Sequence, residues 1–355
     1  MSMPPPIPLP TIAPASAGFL PDLGERFDAG VRSGLLRDLH AVVVARNGRV
    51  VLERSFDGDD EAWGRPLGMV AHGPDTLHDL RSVTKSIVCG LLYGIALARG
   101  LVPPPGTPLA DVFPEVAELA DPDRAGLKVV HALTMTLGLA WDESLPYTDP
   151  RNSEIAMEAA PDRLAFVLTQ PVVHPPGTVW TYGGGATALV GAIIARGAGQ
   201  PLEDFAREAL FAPLGIERFE WHAGRDGVAS AASGLRLTAR DLLRLGELLL
   251  ARGRHDGRAL VPEAWIDTAF APAATVEPGL DYGYGWFLGA ATVPALGPAP
   301  WRWAGGFGNG GQRLFVLPEA GVTAAIFSGA YNAPDAWVTP TRIWREIVLA
   351  NLVEA

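Results

Sequence analysis

The pattern of apolar and polar positions divides the chain into two strand-bearing ends and a helical middle. Ala41-Val-Val-Val-Ala-Arg46 and Arg49-Val-Val-Leu-Glu-Arg54 flank Asn47-Gly48. Two β-branched runs joined by Asn-Gly predict an antiparallel hairpin, because both central positions of a type I′ turn need positive φ. A short helix is predicted ahead of it, over residues 22–33. After the hairpin, the apolar positions Val83, Ile87, Val88, Leu91, Leu92, Ile95 and Leu97 predict a buried helix. Pro103-Pro-Pro-Gly106 stops regular structure. Helical periodicity then returns over 127–136, 161–169, 186–196, 202–210, 238–252 and 262–270, with Thr238-Ala-Arg-Asp241 in the form of a capping box. Strand patterning reappears at 282–288, 313–317 and 322–327, before a final helix over 334–353.

Strands at both ends with helices between predict an α/β (α+β) organisation: an antiparallel sheet flanked by helices, closed by both termini, plus an all-α insert. Residues 1–18 form a Pro-rich segment, expected to be extended at the surface or disordered. Residues 19–105 together with 280–355 form the expected sheet domain, and 106–279 the helical insert. The active site should lie between the two.

The chain has 355 residues, 48% hydrophobic and 19% charged, with a net charge of −11. That balance is ordinary for a globular protein. The negative charge, with no Lys/Arg block, argues against nucleic acid or an anionic membrane surface as partner. No apolar run is long enough to span a bilayer, and the N-terminal stretch lacks the basic and apolar regions of a secretory signal, so a cytoplasmic protein is expected. The one cysteine, Cys89, cannot form an internal disulfide and reads as a small packed hydrophobe. The sequence leaves open a homo-oligomer.

Three stretches carry candidate chemistry. In Ser82-Val-Thr-Lys85, positions i and i+3 share a helix face, placing a hydroxyl beside an amine at the helix N-terminus. Serine becomes a useful nucleophile when a neighbouring base takes its proton, and burial can lower a lysine's pKa to that end. The helix N-terminus adds partial positive charge for an oxyanion. Alone, the pair is better read as a capping serine and a snorkelling lysine. Tyr182, at the glycine-rich entry to the helix near Ala186, can aim a phenol into a cleft or pack in the core. Trp301-Arg-Trp303-Ala304-Gly305-Gly306-Phe307-Gly308-Asn-Gly-Gly311-Gln312 can bring backbone N–H groups close to a ligand, or form a loose hairpin. There is no His-Glu-x-x-His, no Cys/His cluster with metal spacing, no phosphate loop and no Gly-x-Ser-x-Gly elbow. The seven histidines are scattered and read as structural or exposed. Gly306-x-Gly308-x-x-Gly311 precedes a strand where a dinucleotide site needs a helix.

Ser82-x-x-Lys85, then Tyr182, then a Gly-rich strand closing on Pro318-Glu319 resemble the three ordered motifs of the serine β-lactamase and penicillin-binding-protein superfamily. Leu133-Thr-Met-Thr-Leu-Gly-Leu139, Pro176-Gly177, Gly234 through Leu242, and Tyr282-Gly-Tyr-Gly-Trp286 resemble its class C-like branch, with family VIII carboxylesterases and 6-aminohexanoate-dimer hydrolases. The resemblance runs from about Val42 to Phe327 and implies the β-lactamase/transpeptidase-like fold. It implies Ser82 as nucleophile, Lys85, kept neutral by burial, as proton acceptor, and Tyr182 as relay and deacylation base. It also implies the N–H groups of Ser82 and about Gly306 as oxyanion donors, and no metal or cofactor.

Two departures bear on substrate. Gly184 stands where class C β-lactamases have the Asn of Tyr-x-Asn, and Trp303-Ala304-Gly305 stands where they have Lys-Thr-Gly. Both losses favour a small carboxylic ester over an anionic β-lactam. Pocket candidates are Trp303, Phe307 and the loop 141–151, where Tyr147 resembles the substrate-contacting Tyr of the dimer hydrolases or plays a packing role. The nearest alternative is an amidase on short linear amides such as 6-aminohexanoate oligomers; a DD-peptidase and a β-lactamase rank below it. From another class, a non-catalytic ligand-binding sensor with a penicillin-binding fold would be expected to lose Ser82, Lys85 or Tyr182, and a structural oligomer would show only weak turnover.

Overall fold

The computed structural model describes residues 9–354. The Asn47-Gly48 hairpin forms as its sequence predicts: Leu39–Arg46 and Arg49–Ser55 pair antiparallel with Arg46 opposite Arg49, and Asn47 and Gly48 hold φ of 48° and 76°. These strands end an eight-stranded antiparallel sheet. Its order is Ala274–Glu277, Leu280–Tyr282, Phe287–Thr292, Pro300–Gly308, Gln312–Leu317, Val322–Ser328, Leu39–Arg46, Arg49–Ser55. Pairing of Leu39–Arg46 with Val322–Ser328 joins the two ends of the chain.

All of Leu39–Arg46 is buried, and the strand's period of two explains how. Ala41, Val43 and Ala45 face a core shared with Val83, Ile87 and Leu91, while Val42 and Val44 face a second core with Phe27, Ile343 and Val348. A sheet covered on both sides needs continuous apolar runs, which is what the sequence carries here. Leu23–Arg32 and the C-terminal helix, Val338–Arg342 continuing through Leu349, cover one face; the helix that starts at Val83 covers the other.

Helix Ala239–Leu250 lies within the span expected for the insert, yet it packs on Val322–Ser328, Gln312–Leu317 and Leu39–Arg46. Its Leu242, Leu245 and Leu249 form an apolar stripe that the sheet buries. The outer strand likewise begins at Ala274, ahead of residue 280. The sheet unit therefore takes up part of the segment expected to belong to the insert. The rest of that segment gathers around Gly184–Ala198, which contacts Val129–Leu133, Ser153–Ala159, Arg163–Leu168, Leu202–Ala206 and the Ser82 helix.

Other expectations shift at their ends. The strand expected over 282–288 is split after Tyr282, since Gly285 (φ 80°) brings the backbone against Cys89 and the Lys85 carbonyl. The hairpin Gly58–Ala62/Arg65–Val70 was not predicted; its second strand, Arg-Pro-Leu-Gly-Met-Val, is largely exposed and shows no alternation. Of the Pro-rich segment, residues 1–8 lie outside the described residues. Thr11 bridges to Val50 in parallel and Pro14–Ala17 forms a 3₁₀ turn, so the described part is ordered against the sheet.

Candidate active site

Ser82 is the N-cap of the helix Val83–Ile87, which runs on through a π-helical turn to Ala98. The preceding residue, Arg81, has φ 47°. A left-handed conformation at a non-glycine costs on the order of 1 kcal/mol and needs support. Asp79 supplies it: one carboxylate oxygen accepts the Arg81 N–H at 3.0 Å and the other the Trp63 N–H at 2.5 Å. The Arg81 guanidinium pairs with Glu61 at 2.6 Å and lies over the Tyr331 ring. The sharp approach presents Ser82 at the mouth of a cleft of about 100 Å³ lined by Arg81, Tyr147, Glu154, Ser233 and Asn309 among others.

One turn along, buried Lys85 donates from Nζ to Ser82 Oγ at 3.0 Å and to the Ala232 carbonyl at 2.9 Å. The Tyr182 ring centroid is 4.9 Å from the same Nζ, and the phenol interacts with both Ser82 and Lys85. The structure thus brings Ser82, Lys85 and Tyr182 together.

The expectation that burial keeps Lys85 neutral is corrected. Burial does pull its pKa down, but Glu154, Tyr182 and Glu143 more than offset this, so the pKa is raised and Lys85 rests as an ammonium. The Tyr182 phenol is also raised, by burial first, with Lys85 working against it, so it rests neutral.

The two carboxylates come from the insert. Asn152 caps Ser153–Ala159, accepting the Glu154 N–H at 3.0 Å, and so fixes Glu154 in the first turn. Glu154 Oε1 accepts from Ser233 Oγ at 2.8 Å; Oε2 lies 3.5 Å from Lys85 Nζ, buried and without a hydrogen bond. Glu143 Oε1 accepts from Trp141 Nε1 at 2.6 Å and from the Gly184 N–H at 2.5 Å, while Oε2 accepts from Tyr147 Oη at 3.0 Å. Burial, then the charge of Glu154, pushes Glu143 up to about 7, with Lys85 acting against them. A Cβ on Gly184 would stand 2.8 Å from Glu154 Oε2. The glycine at the Asn position of Tyr-x-Asn therefore leaves room for an insert carboxylate.

The third motif lands differently from expectation. Along Pro300–Gly308, side chains alternate between faces. Ala304 faces the Ser82 helix, whereas Trp303 lies over Gly289 and edge-on to Phe315, and Phe307 folds over Gly305 and stacks on Phe287. Trp303 and Ala304 border another cavity, of about 410 Å³, with Leu288 and Pro300. Trp303, Ala304, Gly305 and Phe307 thus do not line the Ser82 cleft; Asn309 and Tyr147 do.

The strand runs along the start of the Ser82 helix. A Cβ on Gly306 would meet Ser86 Oγ at 2.9 Å, one turn below Ser82, while one on Gly308 would meet the Leu80 carbonyl at 2.5 Å and Arg81 Cβ at 3.1 Å. The strand end at Gly308 thus runs beside Leu80 and Arg81, and Asn309 borders the cleft that Ser82 lines. Arg313 donates to the Gly308 carbonyl at 3.0 Å and braces this end.

Three of the seven histidines, expected to be scattered, gather in the fold. His40, His72 and His78 lie near buried Asp60. Their rings are near parallel, 22–25° apart, and His78 continues the stack onto Phe327. Parallel rings cannot aim their in-plane lone pairs at one ion, so this is a packed aromatic stack.

Glu143, Glu154 and Asn309 were not singled out from sequence. Asn152-Ser-Glu154 has the form of a capped helix start, which could have placed the helix. No local spacing shows that its carboxylate turns towards Lys85.

The Beta-lactamase family profile matches residues 34–345. Esterase EstB of Burkholderia gladioli is 26% identical over 373 aligned residues, covering 88% of this chain and 91% of the relative. The 6-aminohexanoate-dimer hydrolase of Paenarthrobacter ureafaciens is 28% identical over 213 residues, covering 56% of this chain and 52% of its own. Among solved structures, EstCE1, described as a hydrolase with promiscuous acyltransferase activity, superposes with a TM-score of 0.70 at 18% identity, covering 94% of this chain and 98% of that one. A penicillin-binding protein homologue from Caulobacter crescentus gives 0.68 at 22%, covering 93% and 97%.

Proposed function

The chain belongs to the beta-lactamase family, and from that premise we propose that it is a serine hydrolase that cleaves small carboxylic esters through an acyl-enzyme. The observation that carries this reading is the Ser82 hydroxyl held 3.0 Å from Lys85 Nζ at a helix N-terminus, with Tyr182 against both.

Ser82 Oγ attacks the ester carbonyl while its proton passes into the Lys85/Tyr182 group. The oxyanion forms against the Ser82 N–H and an N–H of the Gly308–Asn309 segment, each worth about 3 kcal/mol in serine hydrolases. Tyr182 delivers a proton to the departing alcohol, and water, activated by Tyr182, then releases the acid. Tyr147 and Asn309 border the cleft where the substrate would lie.

An ester is favoured over a β-lactam because the space beside Tyr182 holds Glu154 and Glu143, and no lysine stands on the glycine-rich strand to attract a substrate carboxylate. The runner-up, hydrolysis of short linear amides, is supported by the dimer hydrolase among the relatives. Wild type should turn over p-nitrophenyl butyrate, faster than p-nitrobutyranilide, and hydrolyse nitrocefin poorly. Loss of butyrate turnover in Ser82→Ala supports the assignment. Equal rates in the two proteins, or efficient nitrocefin hydrolysis, contradict it.

A further inference from the structure

We infer that Glu154 is a positioning residue for the acylation step: acting through Lys85, it takes up the proton that leaves Ser82. This rests on the serine-hydrolase reading above and extends it to a residue of the insert.

The need for such a group comes from proton accounting. Lys85 donates its N–H to Ser82 Oγ, so it is oriented as a donor towards the very atom whose proton it must accept. An ammonium can accept that proton only while handing one on. Ala232 offers a carbonyl, which cannot keep a proton, and the Tyr182 phenol rests neutral and raised. The groups facing Lys85 that can end a step as neutral acids are Glu154 and Glu143. Glu143 is engaged by three donors, Trp141, the Gly184 N–H and Tyr147. Glu154 Oε2 has no hydrogen bond, is buried, and lies 3.5 Å from Nζ. Its other oxygen is held by Ser233, itself an acceptor from Trp63 Nε1 at 3.1 Å, so the carboxylate is aimed at Lys85.

The transfer balances. The Oγ–carbon bond forms as the Ser82 O–H breaks. That proton goes to Lys85 Nζ, and a proton from Nζ goes to Glu154 Oε2. Lys85 begins and ends as an ammonium, and Glu154 becomes a neutral acid. When the tetrahedral intermediate collapses, the proton returns from Glu154 to Lys85 and reaches the departing alcohol through Tyr182, regenerating the carboxylate.

The test follows acyl-adduct formation in single turnovers of p-nitrophenyl butyrate, by rapid quench and intact mass, from pH 5.5 to 9.5 in wild type, Glu154→Gln and Glu154→Asp. Glu154→Gln should form the adduct about 10²-fold more slowly or worse at every pH. Its KM should stay within about threefold. Glu154→Asp should recover part of the rate. Acylation of Glu154→Gln within about threefold of wild type, or faster at alkaline pH because Lys85 gives up its proton more readily, overturns the proposal; so does a raised KM with unchanged kcat. Should Glu154→Gln not fold, the wild-type proton inventory in mixed H₂O/D₂O decides: a curved plot for acylation is expected from two protons in flight, and a linear one contradicts it. Absence of any adduct in wild type would instead count against the Ser82 reading itself.

Discussion

A buried lysine beside a serine can act in two ways, and its neighbours decide between them. With only apolar neighbours, Lys85 would lose its proton and serve as a resting base; with Glu154 and Glu143 close by, it rests charged. Tyr182→Phe and Lys85→Ala should each lower kcat by about 10² to 10⁴ in steady-state ester hydrolysis, with folding checked by circular dichroism. Gly184 offers a sharper check. Restoring the family asparagine with Gly184→Asn should not create a β-lactamase, since the new side chain meets Glu154 Oε2. The expected result is a lower Tm, weaker esterase activity and no gain on nitrocefin. Ser82 and Lys85 were legible in the sequence because their relation is local, three positions along one helix. Glu154 was not, because only the packing of the insert on the sheet unit brings it to Lys85.

At the scale of the element, the glycine-rich strand shows where counting along a sequence falls short. Its existence and its antiparallel partners follow from the patterning, but alternation decides which residues meet the serine. The likeness of Trp303-Ala304-Gly305 to Lys-Thr-Gly put Trp303 at the cleft; the strand turns it to the opposite face, edge-on to Phe315. Trp303→Ala should therefore lower Tm, at a cost below the about 3–5 kcal/mol of a fully buried Trp truncation because Trp303 is only partly buried, while KM for p-nitrophenyl esters stays within about twofold. Gly308→Ala should do the reverse kind of damage. Its Cβ would stand 2.5 Å from the Leu80 carbonyl, a backbone atom that cannot swing aside. The strand end must then shift away from Ser82, and kcat should fall more than KM rises. The Asn47-Gly48 hairpin was legible in full, because positive φ at both turn positions is a local demand that the residues themselves meet.

Across the whole molecule, the cleft is where the insert's loops and helix ends meet the sheet unit. The alternation of strand and helix regions made the antiparallel sheet and the run of helices between its strands legible. It did not reveal that Ala239–Leu250 joins the sheet, because an amphipathic stripe records a buried face without naming its partner. Bringing carboxylates into this junction has a cost that depends on pH. Glu143 is raised in the folded chain to about 7 from an ordinary 4.5. Between those values the folded state holds a proton that the unfolded state has released, so stability should fall as pH rises from about 4.5 through 7. The difference in Tm between wild type and Glu143→Gln, followed from pH 5 to 8, should show wild type losing ground with rising pH; a constant difference would contradict the shift.

The central claim is that Ser82 carries the acyl group, and intact mass spectrometry of acid-quenched turnover mixtures tests it most directly. With p-nitrophenyl butyrate, wild type should gain one butyryl group, mapped by peptide digestion to Ser82, and Ser82→Ala should gain none. An adduct of the same yield in Ser82→Ala, or turnover by wild type with the acyl group on another residue, would contradict the account.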